Sequence, residues 1–286
     1  MSSMNAYLFG LIAYFGWGSG DIFGTFATRK VGPYITTFWA FAFGALLGSF
    51  YIPFAFHELS AITPTLLFLN VILGVMYVGG NLMFNEALRL SSAPIVGTIG
   101  GSFSALTIVL SFLFLGEKIS ITHMLLILLV FTGVYITTTA HGQKRNTRST
   151  KGVILALMSF IVWGIYFTFI KILMQSMGWF WPNYIPILLF PLIGLYMRWK
   201  KMPLIIPKFN IALPLFLNAL TLRGGDFAFN IGASMGLTAT IAPIGGAYPT
   251  LFAVLSYFVF RDPLNKKQIA GIIIALTGLV ALGFIQ

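Results

Sequence analysis

The chain is dominated by long apolar runs, and each is long enough to cross a lipid bilayer as a helix. Hydrophobic residues make up 58% of the sequence and charged residues 8%, against roughly 25% charged in a soluble domain. A run of about twenty residues spans a hydrocarbon core of roughly 30 Å as a helix that satisfies its own backbone hydrogen bonds. We therefore predict an all-α membrane protein with ten transmembrane helices. The predicted spans are Ala6 to Ala27, Tyr34 to Phe54, Thr65 to Leu88, Ala93 to Leu115, Ile119 to Thr139, Gly152 to Leu173, Trp179 to Met197, Ile211 to Ala233, Thr238 to Phe260 and Lys267 to Ile285.

The positive charge of the chain is unevenly distributed between its loops. The formal net charge is +11, but the basic residues occupy short segments at helix ends, which the positive-inside rule explains better than nucleic-acid binding does. Segments after odd-numbered spans contain Arg29, Lys30, Arg89, Lys144, Arg145, Arg148, Lys151, Arg198, Lys200, Lys201, Lys208, Arg261, Lys266 and Lys267. Segments on the other side contain only Lys118. We predict that both termini face outward from the cell membrane of a prokaryote, with a first helix that is retained rather than cleaved.

The two halves of the sequence resemble each other. A shift of 145 positions places "GGNLMFN" at Gly79 on "GGDFAFN" at Gly224, and a shift of 146 places Trp17 on Trp163. Each half contains five predicted helices, so the second half must enter the membrane from the opposite side. The sequence predicts an inverted repeat with a first unit at 1–139, a basic linker at 140–151 and a second unit at 152–286. Secondary transporters often have this architecture, with a substrate site where the halves meet.

Several motifs resemble the EamA type of the drug/metabolite transporter superfamily. They are "YFGWGSGDIFG" in the first span, "NEALRLSSAPIVG" between the third and fourth, "FLFLGEKIS" at the end of the fourth, and "SFIVWGIYFTFIK" and "LSYFVFRDPLNKKQIAGIIIALTGLV" in the second half. Arg261-Asp262-Pro263 departs from the pattern of the first half. The resemblance implies export or exchange of a small metabolite through a central cavity, with substrates that range from amino acids to sugars and drugs.

Charged and amide side chains lie inside several predicted spans. A charge at the bilayer centre costs roughly 2.5–3.5 kcal/mol on insertion scales, so such a group usually faces a cavity or a partner. Residues spaced by three, four or seven positions share one face of a helix. The predicted polar site consists of Asp21, Asn81, Asn85, Arg223, Asp226 and Asn230.

Arg223 is the candidate for holding a substrate carboxylate, because its guanidinium group is a permanent cation with a fixed fork of donors. Asp21 and Asp226 are candidates for binding a coupling proton, since desolvation favours the neutral form of a carboxylate. Two structural alternatives stay open. Arg223 and Asp226 would neutralise each other within one helix, or Asp21 would pair with Arg223 and fasten the halves together.

Aromatic residues at membrane depth are candidates for the wall of the cavity. Trp17 and Trp163 occupy equivalent positions away from the interfacial belt where Trp usually collects. Packing between helices explains them equally well. The predicted substrate-binding aromatic residues are Trp17, Tyr77, Trp163, Tyr166 and Tyr248.

Glycine and proline residues interrupt the fourth and ninth spans at matching places. Proline removes a helix hydrogen bond, and in transporters such interruptions expose helix ends near the midplane. Close helix packing on small residues is the alternative. The predicted gating residues are Gly100, Gly101, Pro243, Gly245, Gly246 and Pro249.

A transporter fits these observations better than an enzyme. His57, His123 and His141 all lie at span ends or in loops, and no HExxH, Walker A or GxSxG motif is present. Without cysteine there is no thiolate metal site, and we predict no metal or other cofactor. The expected partners are a small-molecule substrate, the lipid bilayer and coupling protons, as a monomer or a homodimer. Arg223 and the aromatic residues favour an amino acid or a related carboxylated compound. Sugars, nucleobases and drugs remain alternatives, as does a membrane enzyme or scaffold.

Overall fold

The computed structural model describes residues 3–116, 120–139, 147–234, 245–262, 264–282 and 284, and every regular element in these ranges is helical. The helices are α1 (Ser3–Val31), α2 (Pro33–Ser49), α3 (Ile52–Ala55), α4 (Pro64–Leu90), α5 (Ala93–Gly101), α6 (Phe103–Leu115), α7 (Ile121–Thr139), α8 (Thr147–Met177), α9 (Trp181–Ile187), α10 (Phe190–Trp199), α11 (Phe209–Ser234), α12 (Tyr248–Phe260) and α13 (Lys266–Leu282). A 3-10 turn, Phe56–Ala61, follows α3. The all-helical prediction is confirmed.

Three stretches of helix in the described part of the chain are long and apolar enough to cross a membrane by length and hydropathy alone. They are Pro64–Leu90, Ala93–Leu115 and Ser149–Met177. A fourth appears if Pro33–Ser49 and Ile52–Ala61, which meet at an angle of 63°, form one bent span. Several apolar helices thus support a multi-pass membrane protein, while the count of ten spans stays a prediction.

Local sequence explains where several helices begin and break. Thr63 starts α4 because its hydroxyl accepts a hydrogen bond from the Leu66 amide at 3.3 Å. Gly116 ends α6 in a left-handed conformation with φ of 70°, which glycine adopts without a steric penalty. The predicted seventh span is two helices, α9 and α10, because Pro191 has no amide hydrogen to donate to the turn before it.

The largest helix contacts join the first half of the chain to the second. Helix α1 packs along α11, α4 along α8, and α7 along α13. Glycines allow the close approach: a Cβ atom at Gly16 would lie 2.6 Å from the Thr221 carbonyl oxygen, and one at Gly133 would overlap the backbone of Ala275. The two halves are therefore packed together through these three helix pairs, and polar side chains from both meet between α1, α4 and α11.

Candidate functional site

An ion pair within α11 lies at the centre of this interface. Arg223 Nη1 lies 2.6 Å from Asp226 Oδ2, and the two side chains are only 6% and 13% exposed. Trp17 Nε1 on α1 donates a hydrogen bond to Asp226 Oδ1 at 2.8 Å. Arg223 Nη2 donates to Tyr77 Oη on α4 at 3.0 Å. The pair is therefore formed within the second half and held on both sides by the first.

Aromatic rings surround the Arg223 cation. Its guanidinium carbon lies 5.8 Å from the ring centres of both Phe41 and Tyr77. The Tyr77 ring stacks on Phe41 at 5.7 Å and lies 4.6 Å from Tyr166. Cation–π attraction strengthens when water is excluded, so these rings stabilise the charge while leaving the guanidinium fork for oxygen ligands.

A small cavity lies beside Arg223. Its volume is about 20 Å³, counted as the space open to the centre of a water-sized sphere, which is room for about one water molecule. Ligand pockets that hold a metabolite are more than ten times larger. Among the described residues, this cavity beside Arg223 is thus too small for a metabolite. The cavity is lined by Asp21, Gly24, Ala40, Phe41, Asn81, Phe84, Asn85, Leu88, Asn218, Ala219, Leu222 and Arg223.

Asp21 lines this cavity with an unpaired carboxylate. Its backbone oxygen accepts a hydrogen bond from Thr25 Oγ1 at 2.7 Å, but none of the residues that the structure describes donates to its side chain. Asp226, by contrast, has both oxygens occupied by Arg223 and Trp17. The two acids therefore differ: both oxygens of Asp226 have partners, whereas Asp21 lines the small cavity with no side-chain donor among the described residues.

The predicted amides have three different surroundings. Asn85 joins three helices, because its Oδ1 accepts from Thr28 at 3.1 Å and its Nδ2 donates to Thr37 at 2.9 Å. Asn81 lines the cavity and donates to the Tyr77 carbonyl oxygen within its own helix at 2.8 Å. Asn230 is buried away from the cavity, and its Nδ2 has no partner among the described residues. Asn85 and Asn81 are thus the amides beside Arg223.

Trp17 and Trp163 pack on the second glycine of the duplicated motif in the opposite half. A Cβ atom at Gly225 would lie 2.9 Å from Trp17 Cδ1, and one at Gly80 would lie 2.6 Å from Trp163 Nε1. The first glycines of the same motif, at positions 79 and 224, have nothing within 4 Å. Only the second glycine of each pair is therefore required for close packing.

The rings around the two tryptophans also correspond. Trp17 meets Tyr248 edge-on at 5.6 Å, and Trp163 meets Phe103 edge-on at 5.9 Å. Their indole nitrogens differ, because Trp17 donates to Asp226 whereas Trp163 Nε1 has no acceptor in the described part of the chain. The packing is shared by both halves, and the polar contact is confined to one.

The predicted gating residues are packed closely. A Cβ atom at Gly101 would overlap the Pro249 ring, and one at Gly246 would lie 3.4 Å from Ser104 Cβ. Gly100 faces Phe84 and Gly245 faces Trp17 in the same way. The described glycines of this set thus lie in helix contacts, while their gating role stays a prediction.

Pro249 is the second residue of α12, where a missing amide hydrogen removes no helix hydrogen bond. Gly245 and Gly246 are also helical and are separated from α12 by a turn at Ala247, so the helical path is interrupted just before Pro249. Pro243 lies outside the described residues.

The sequence profile of the EamA-like transporter family matches residues 4–139 and again residues 150–284. The chain belongs to the EamA-like transporter family. This membership confirms the resemblance drawn from the motifs and points to a transporter rather than an enzyme. In the described residues, no three His, Cys, Asp or Glu side chains meet as a metal site would require.

Two known proteins are similar to this EamA-like protein. It is 33% identical over 139 residues to a protein of Salmonella typhimurium (strain LT2) described as a probable amino-acid metabolite efflux pump. That match covers 47% of this chain and 43% of the Salmonella protein. A protein of known crystal structure has a similar fold, with a TM-score of 0.71 at 17% identity, over 98% of this chain and 96% of the other.

Several residues around the cavity and Arg223 were not predicted from the sequence. Asn218 lines the cavity and donates to the Gly20 carbonyl oxygen at 2.7 Å. Thr28 holds Asn85 and lies seven residues after Asp21 on α1, a spacing that places both on one helix face. That spacing was a usable signal for Thr28, whereas the contact of Phe41 with Arg223 depends on how α2 packs against α11.

Proposed function

We propose that this protein is a secondary active transporter that moves an amino acid or a related carboxylated or aromatic metabolite across the cell membrane, in export or exchange. The observation that carries the proposal is Arg223, a buried cation between the two halves, beside a cavity lined by Asp21, Asn81 and Asn85. The efflux activity ascribed to the Salmonella relative agrees with this substrate class.

Substrate binding would exchange one carboxylate for another on Arg223. In this structure Asp226 occupies one guanidinium nitrogen and Tyr77 another. A substrate carboxylate entering the cavity takes the place of Asp226, because the planar guanidinium fork can bind a carboxylate through two nitrogens where Asp226 uses one. The released Asp226 is then free to accept a hydrogen bond from a substrate ammonium group.

The ten spans would be two inverted five-helix units, residues 1–139 and 152–286, joined by the linker 140–151. The reciprocal contacts of Trp17 with Gly225 and of Trp163 with Gly80 support this arrangement, because a two-fold relation between the units produces each from the other. The double match to one family profile supports it as well. The units would rock against each other, with both termini outside.

Asp21 is the proposed site of the coupling proton. Its carboxylate lines the cavity and has no donor among the described residues, so protonation disrupts no existing ion pair. Asp226 is the second candidate and becomes available only after it leaves Arg223. Proton binding at Asp21 would therefore precede or accompany substrate entry.

Counterflow in proteoliposomes tests the proposal. The purified protein is first screened for amino acids and other metabolites that raise its thermal unfolding temperature, and the best ligand is then used for counterflow. We expect Arg223→Ala to reduce counterflow at least tenfold, because a charge-assisted bidentate contact contributes about 1.5–3 kcal/mol. The matched control is Gly224→Ala, at the next residue of α11, where an added methyl group meets nothing within 4 Å. Counterflow that survives Arg223→Ala at the level of the control refutes the site.

A further inference from the structure

A second ion pair joins the two halves at one end of the cavity. Arg29 Nη2 on α1 lies 2.5 Å from Asp262 Oδ2, just after α12, and Arg29 Nη1 donates to Asp262 Oδ1 at 3.1 Å. This two-point geometry is the strongest that an arginine and a carboxylate form. The two residues are 233 positions apart in the chain, so the contact fixes the first half to the second.

Further hydrogen bonds attach this pair to the junction of α4 and α5. Arg29 Nε donates to the Leu88 carbonyl oxygen at 3.2 Å, and the Ala93 amide at the start of α5 donates to Asp262 Oδ2 at 2.7 Å. The Arg29 guanidinium carbon also lies 4.6 Å from the Phe260 ring. The ends of α1, α4, α5 and α12 therefore meet at a single ion pair, and Leu88 connects it directly to the wall of the cavity.

The Arg29–Asp262 pair is partly exposed. The side chains of Arg29 and Asp262 are 27% and 15% exposed, whereas that of Arg223 is 6% exposed. Asp262 also lines an open groove of about 500 Å³, together with Tyr257, Phe258, Arg261 and Leu264. Salt screens an ion pair that solvent reaches, so the strength of this contact depends on ionic strength.

Aromatic rings form another contact between the two halves. Tyr51, between α2 and α3, lies 4.8 Å from Trp179 and 5.2 Å from Phe180, and both of these rings contact Phe227 of α11. Among the described residues, this contact is therefore aromatic rather than ionic.

We propose that Arg29, Asp262 and the backbone groups of Leu88 and Ala93 form an ionic gate, which must open for the cavity to be exposed at the end where the basic loops lie. The gate rests on the alternating access proposed above. Opening this end separates α12 from α1, α4 and α5, which breaks both hydrogen bonds of the ion pair and the hydrogen bond that the Ala93 amide donates to Asp262. Neutralising either charge therefore biases the protein towards exposure at this end alone.

Cysteine labelling measures that exposure without a substrate. The chain has no cysteine, so Ala40→Cys, on the cavity wall, provides a single thiol for a membrane-impermeant maleimide applied to either face of oriented vesicles. We expect Asp262→Asn or Arg29→Gln to raise the labelling rate about three- to tenfold from the basic-loop side, with no change from the other side. High salt should raise the rate in the protein with an intact gate and have no effect once Asp262 is neutral.

The control variant is Arg89→Gln, which breaks the exposed Glu86–Arg89 pair at the basic-loop end of α4. This pair lies within one helix, so its loss should leave labelling unchanged. Unchanged labelling in both gate variants, or an equal rise from both sides, refutes the gate.

The gate and the transport proposal fail separately. If Asp262→Asn gives one-sided labelling but no metabolite supports counterflow, the gate stands and the transport proposal fails. If Arg223→Ala abolishes counterflow but Asp262→Asn leaves the labelling rate unchanged, the transport proposal stands and the gate fails.

Discussion

Replacing Arg223 and Asp226 singly and together separates a binding role of this pair from a purely structural one. Three variants are needed: Arg223→Met, Asp226→Leu and the double variant. Each single change leaves one buried charge without its partner, whereas the double change leaves an apolar pair of similar volume. The two side chains are 6% and 13% exposed, so water cannot replace the lost partner.

The expected magnitudes follow from that burial. Removing one partner of a buried pair destabilises a protein by about 3–5 kcal/mol, while replacing both with apolar residues is often neutral or stabilising. Among the described residues, Asp226 without Arg223 keeps only the hydrogen bond from Trp17, and Arg223 without Asp226 keeps only the one to Tyr77. We therefore expect each single variant to lose about 3 kcal/mol and the double variant to lie within about 1 kcal/mol of the unchanged protein.

Unfolding in mixed detergent micelles, followed by tryptophan fluorescence, gives the stability of each variant, and counterflow gives its activity. The binding role predicts that the double variant is stable yet inactive. A double variant that recovers both stability and counterflow would show that the pair only fastens helices. Single variants that lose less than 1 kcal/mol would refute the claim that the pair is desolvated. Asp226→Asn is a milder substitution for the case in which Asp226→Leu is not produced in folded form.

Three further predictions test other contacts. Gly80→Ala should be about 1–3 kcal/mol less stable than Gly79→Ala, because only Gly80→Ala places a methyl group against Trp163. Both variants gain the same helix propensity, so the difference reports the contact alone. Equal unfolding temperatures in detergent would contradict this prediction. Gly133→Ala should destabilise the protein by at least about 1–3 kcal/mol, since its methyl group meets backbone of α13 that no rotamer change can move, and a protein as stable as the unchanged one in the same assay would refute that contact. Asp21→Asn should abolish flux driven by a pH gradient and spare substrate exchange in proteoliposomes, whereas an unchanged pH dependence would eliminate Asp21 as the proton site.

Hydrophobic pattern was a reliable guide to individual helices but not to their interruptions. The predicted third span, Thr65 to Leu88, differs by only one to two residues at each end from α4, Pro64–Leu90, because Thr63 and Ser91 flank one continuous apolar run. The predicted second span misses the 63° bend beyond Ser49. Hydropathy is averaged over a window, so it does not show where a single residue changes the direction of the chain. The positions of these bends could be found only from the backbone geometry.

The residues of the central site were recognisable because polar groups at membrane depth are costly and therefore rare. Arg223 and Asp226 stand out for that reason, and their spacing of three residues already predicts an ion pair on one face. The gate was not recognisable. Arg29 and Asp262 lie at span ends, where charges are common and are explained by topology, and only the packing of α1 against α12 brings them together.

The charged residues of the candidate site fall where the two halves differ. The shift that superposes the glycine pairs places Arg223 on Val78 and Asp226 on Asn81. A site with Arg223 duplicated would hold two cations at the interface, and each would repel the other in a medium of low dielectric constant. Under the proposed function, a single cation gives the carboxylate of a substrate one place to bind, with Asp21 on the wall of the same cavity. The repeat would then provide two units that move against each other, and the departures from the repeat would set the orientation in which a ligand is held.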